Sequence, residues 1–162
     1  MILQEELERI PFLRNLGERH IAHVASLAQL QECSEGTVVF REGQDSSNIF
    51  FVLSGQISLG VKESNKECVE VYIANPGELL GWSPVLGRHA MTATARAKTR
   101  SRLAVIDIKK IHEMCETYPR FGLAFLREIG VTLSDRLWAT RRQLARSVAH
   151  GTPIGSVVEG SD

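Results

Sequence analysis

Cysteine is scarce in this chain. Cys33, Cys68 and Cys115 are the only three, an odd number without C-x-x-C spacing. That excludes a disulfide framework, a zinc site and an iron–sulfur cluster, and fits a reducing cytoplasm. Net charge is missing as well, since 19 Lys and Arg balance 19 Asp and Glu. No global positive field therefore draws the protein onto nucleic acid or an anionic membrane. No apolar run approaches the roughly 20 residues needed to span a bilayer. The N-terminus, Met1 to Leu7, has no basic segment followed by an apolar one, so a soluble cytoplasmic protein is expected. Catalytic signatures are also lacking: there is no nucleophile elbow, no H-E-x-x-H and no P-loop.

The chain does have 162 residues at 43% hydrophobic content, enough for one domain with a core and too little for two ordinary ones. Residues 3 to 30 read as two short helices, with apolar residues at three and four and Pro11 as the break. From Leu30 to Asp107 the period changes to two. Segments such as 37–40, 48–53, 56–61, 69–73, 92–95 and 102–106 alternate or run apolar between turn signals at Glu35-Gly36, Gly43, Ser54-Gly55, Ser64-Asn65 and Asn75-Pro76-Gly77. Many short strands at that spacing predict a jelly-roll barrel, in an α+β chain that is mainly β. The helical period then returns, and Tyr118-Pro119 restarts it into one long helix to about Ala149. Residues 151–162 have turn-forming composition and are expected to be a flexible tail. A metal-dependent enzyme on such a barrel needs two or three converging histidines, and only His89 lies in the strand-rich region. An enzyme is not expected.

Pro76-Gly77-Glu78-Leu79-Leu80-Gly81-Trp82-Ser83-Pro84-Val85-Leu86, followed by Met91-Thr92 and Arg96-Ala97-Lys98-Thr99, has the frame of a phosphate-cradling cassette. In such a frame a Gly-rich turn and a one-turn helix present backbone N–H groups to an anion. With Leu7 to Leu16, Val38 to Asp45 and Ile49 to Gly55, the chain resembles the cyclic nucleotide-binding domain of catabolite activator-like proteins. The resemblance covers about residues 3 to 149. It implies one domain over 1–150, with a helical opening 1–30, a jelly roll 31–107 and helices 108–150.

In that family a Gly-Glu-Leu supplies a Glu to the ribose hydroxyl, and an Arg about ten residues later forks onto the cyclic phosphate. Two registers are open. Anchoring on the flanks sets Gly81-Trp82-Ser83 at the Gly-Glu-Leu and Met91-Thr92 at the Arg, so both charges are lost. The pocket candidates are then Gly81, Trp82, Ser83, Val85, Leu86, Arg88, Met91 and Thr92. Taking Gly77-Glu78-Leu79 literally instead finds Arg88 ten residues on and restores both charges. Trp82 either stacks on a planar ligand or plugs the pocket. The ligand is a cyclic nucleotide or another small anion, or none. On the long helix, Leu126, Gly130, Leu133, Leu137, Thr140 and Leu144 form a heptad seam, while Phe121, Phe125 and Ile129 form a stripe for the barrel. The expectation is a homodimer through the seam and a stand-alone regulatory module acting on an unknown protein effector. The alternatives are the sensor half of a transcription regulator lacking its DNA-binding part, and a ligand-free dimerisation domain. Only about a dozen turn-rich residues follow Ala149, so neither direct DNA binding nor membrane contact is expected.

Overall fold

A computed structural model describes residues 4–64, 67–88, 90–151 and the backbone of 156–158. Three short helices open the chain: α1 (Gln4–Glu8), α2 (Pro11–Arg14) and α3 (Glu18–Leu27). The expected second helix is divided at Gly17, whose φ of 94° lies in the left-handed region and cannot continue α2. Helix also stops earlier than the expected residue 30. Ala28 is extended, and β1 (Gln29–Cys33) pairs antiparallel with β8 (Ser101–Asp107), so sheet hydrogen bonding overrides helical spacing there.

Two antiparallel sheets form the jelly roll. One has the order β1-β8-β3-β6, with β3 at Asn48–Ser54 and β6 at Leu79–Leu80. The other has the order β2-β7-β4-β5-β9, built from Val38–Phe40, Thr94–Ala97, Ile57–Lys62, Cys68–Ala74 and Ser156–Val158. β3 explains why its sequence runs apolar instead of alternating. Phe50 and Val52 face the barrel interior with Phe40, Ile57, Leu59 and Leu103, while Ile49 and Phe51 face the helices. Successive side chains on a strand point to opposite faces, so a sheet buried on both sides needs an unbroken apolar run.

The helices cover the outer face of the first sheet through Leu7, Phe12, Leu13, Ile21, Val24, Ile111, Met114, Phe121, Phe125 and Ile129. Asp107 caps α4 (Ile108–Thr117), its carboxylate accepting the Lys109 N–H at 2.8 Å. Pro119 starts α5 (Pro119–His150), where a missing N–H costs nothing, and Gly151 at φ 61° ends it. Part of the expected flexible tail is a strand, β9, which pairs with Cys68 to Glu70 on the open edge of β5. The remaining tail residues lie outside the described ones. Among the described residues no helix is long and apolar enough to cross a membrane, and all three cysteines are free thiols.

Candidate functional site

The cassette grows out of β6, whose Leu79 and Leu80 pair with Phe51 and Phe50. Gly81 follows at φ 72°, and a Cβ there would sit 3.1 Å from the Phe50 ring and 3.2 Å from both the Asn48 carbonyl and Met91 Cε. Only glycine fits this turn without displacing the barrel lining. A 3-10 turn runs over Ser83–Leu86 and stops at Gly87, φ 76°. Its capacity to cradle an anion is smaller than the sequence suggested. Pro84 has no N–H, the Val85 N–H donates to the Trp82 carbonyl at 2.9 Å, and the Arg88 N–H donates to the Ser83 carbonyl at 3.0 Å. Four residues also carry too few aligned peptide dipoles for a helix-terminus site.

Gly81, Trp82, Ser83, Met91 and Thr92 do come together, with Phe40, Leu59 and Ala93, around a cavity of about 40 Å³. Among the described residues no charged side chain lines it. Met91 is 2% exposed and belongs to the barrel core beside Phe40 and Phe50. Backbone bonds from Gly43 N–H to the Met91 carbonyl (2.8 Å) and from Met91 N–H to the Gln44 carbonyl (2.9 Å) hold it there. Trp82 lines the same cavity while packing against the helical core. Val85 packs toward the helices, Leu86 is half exposed, and Arg88 is exposed on the following loop. His89 lies outside the described residues.

The residues of the second register sit elsewhere. Gly77, Glu78 and Leu79 line a separate cavity of about 190 Å³ between α2 and α5, with Glu128, Asp135 and Arg136. Both Glu78 oxygens are engaged: Oε1 accepts the Tyr72 hydroxyl at 2.5 Å, and Oε2 accepts the Asn75 N–H at 2.7 Å. Arg136 of α5 completes the cluster. Its Nη2 donates to the Leu79 carbonyl at 3.2 Å and lies 3.5 Å from Glu78 Oε1. Its guanidinium lies 3.6 Å from the Tyr72 ring centre and 5.2 Å from that of Trp82. Burial, reinforced by the bond to Glu78, pushes the Tyr72 hydroxyl up to about 12. Burial also lowers the Arg136 pKa, against the pull of Tyr72 and Glu78. Tyr72 and Arg136 were not legible as site residues, because Arg136 stands 58 positions from Glu78.

On α5, Phe121, Phe125 and Ile129 are buried against the barrel side. Leu126, Leu137 and Leu144 are 55%, 51% and 49% exposed, and Gly130 and Thr140 are exposed with them. Leu133 is half buried and also touches the helical core.

Residues 30–118 match the family model described as the cyclic nucleotide-binding domain. A protein of Rhodopseudomonas palustris described as a potassium channel is 32% identical over 101 residues, 61% of this chain and 24% of its own length. The helix-turn-helix-type transcriptional regulator Cmr of Mycobacterium tuberculosis is 27% identical over 70% of this chain and 46% of its own length. The chain thus spans less than half of either relative. Among solved structures, a protein of Geobacter metallireducens described as cyclic nucleotide-binding superposes with a TM-score of 0.74 at 23% identity, covering 85% of this chain and 99% of that one.

Proposed function

The chain belongs to the cyclic nucleotide-binding domain family, and within it we propose a cytoplasmic regulatory module whose cassette does not take cyclic AMP or cyclic GMP. Its output runs through α5, in a homodimer that acts on a protein effector. One observation supports this reading: Trp82 and Met91, which the flank-anchored register sets at the two charge positions, line one cavity of about 40 Å³ with no cation among its described lining residues. Small-molecule sites measure about 300–1,000 Å³, and burying a phosphate away from any positive group is strongly unfavourable. A charge-assisted hydrogen bond contributes about 1.5–3 kcal/mol, so two missing contacts weaken binding by about a hundred-fold to ten-thousand-fold. The remaining space suits a compact ligand or none.

Isothermal titration with cyclic AMP and cyclic GMP is expected to give no saturable heat in the micromolar range. Low-micromolar binding abolished by Arg88→Ala and kept in Trp82→Ala would overturn the reading and assign Glu78 and Arg88 as the working pair. The similarity to a helix-turn-helix regulator supports a second reading, in which the same module is the sensor part of a longer transcription regulator. The mass of the native protein separates the two.

A further inference from the structure

We propose that the groove between β5 and the C-terminal half of α5 binds a small organic phosphate carrying at least two phosphoryl groups. This site is distinct from the cassette and does not rest on the reading of it. The groove is open to solvent and has a volume of about 600 Å³, lined by Glu70, Val71, Tyr72 and Ile73 on the strand and by Trp138, Ala139, Arg142, Gln143 and Arg146 on the helix. That volume lies within the range of ligand sites.

Among the described residues the lining carries two cations, Arg142 and Arg146, and one carboxylate, Glu70. Arg142 and Arg146 stand one turn apart, and among the described residues neither makes an ion pair. Like charges at that spacing repel, so an anion between them relieves the helix. The carboxylate in the lining, Glu70, is paired with Lys98 at 3.1 Å. The Arg142 guanidinium lies over the Trp138 ring, 4.7 Å from its centre, a cation–π contact between two residues of the groove lining. Two guanidinium forks about 5–6 Å apart at their Cβ atoms suit adjacent phosphoryl groups, each of which can be held bidentately. Val71, Tyr72, Ile73 and the 61% exposed Trp138 offer apolar surface to the organic part.

The dimer proposed through the leucine seam would leave both arginines clear of the partner helix. At about 100° per residue, Arg142 and Arg146 lie about 140° and 180° around the helix from Leu137, opposite the leucine seam.

The chain has two tryptophans, one at each place, so emission tells the sites apart. In Trp82→Phe the remaining reporter is Trp138. Titration of that variant with adenosine diphosphate or pyrophosphate is expected to change emission saturably, whereas adenosine does not. Adding Arg142→Ala or Arg146→Ala should weaken the response at least about tenfold in a chain whose circular dichroism is unchanged. Rising salt should weaken it too, because both arginines are exposed. The absence of a saturable change up to millimolar phosphate compound overturns the proposal. So does an equal response to adenosine, or a response that survives both arginine substitutions. A response reported by Trp82 in the Trp138→Phe chain and indifferent to the arginines places the phosphate in the cassette, and overturns it as well.

Discussion

Gly43 and Gly55 read alike in the sequence, as turns between strands, and have nearly the same backbone at φ 80° and 83°. Their surroundings differ. A Cβ at Gly43 meets nothing within 4 Å, but one at Gly55 would lie 2.4 Å from the Arg100 carbonyl and 2.7 Å from Ser101 Cα. Gly43→Ala should therefore cost about 1 kcal/mol in left-handed strain alone, and Gly55→Ala about 3 kcal/mol or more, because backbone must move. Urea unfolding of the two variants checks the difference. Tyr72 gives a second test at this scale. Its folded-state pKa is raised to about 12 from about 10 in an unfolded chain. Between those values the native state holds the proton that the unfolded state has lost, so this contribution is present below about pH 10 and disappears as pH rises toward about 12. Tyr72→Phe should flatten that part of the alkaline stability profile relative to wild type. Trp82 and Met91 were legible in the sequence as cassette residues, and the structure sets both on one cavity. Local spacing could not reveal the clasp of Tyr72, Glu78 and Arg136, which forms only when α5 crosses the cassette.

The elements were legible where their period was long. The 32 residues of α5 carry both of its stripes in plain spacing, and β3 was visible as an apolar run bounded by turns. β1 was hidden because Leu27 and Ala28 continue a helical pattern that the pairing with β8 interrupts. β9 was hidden because its three residues stand among turn formers and pair with a strand 88 positions earlier. The exposed leucines of α5 define the prediction for this element. The helix is about 48 Å long at 1.5 Å per residue. Beyond Ile129 and Leu133 its seam faces solvent, apart from the partial contact of Leu133 with the helical core. Regularly spaced exposed leucines on a long helix form a coiled-coil surface, so a dimer through Leu126, Leu137 and Leu144 is expected. Light scattering should give a dimer for wild type and a monomer for Leu137→Asp, with the fold retained because that side chain is half exposed. A monomeric wild type rules the seam out.

For the whole molecule the question is whether the family pocket has been lost or only filled. The barrel, the cassette turn and the returning strand all remain in place, while Trp82, Met91 and their neighbours leave about 40 Å³. If the flank-anchored register is right, the double substitution Trp82→Glu and Met91→Arg restores both charged positions on an intact frame. Met91→Arg alone puts an unpaired guanidinium where the side chain is now 2% exposed, at a cost of about 3–5 kcal/mol. Trp82→Glu alone should be better tolerated, since Arg136 lies 5.2 Å from the ring it replaces and can pair with the new carboxylate. Together the two should be less destabilising than their sum by about 1–3 kcal/mol, because the introduced charges face each other across the opened cavity. Cyclic AMP should then raise the melting temperature of the double variant and of neither single variant nor wild type. A ligand at a thousand times its Kd adds about 4.1 kcal/mol, and the emptied Trp82 position supplies the room. A folded double variant indifferent to cyclic AMP would set the flank-anchored register aside and return the cassette to Glu78 and Arg88.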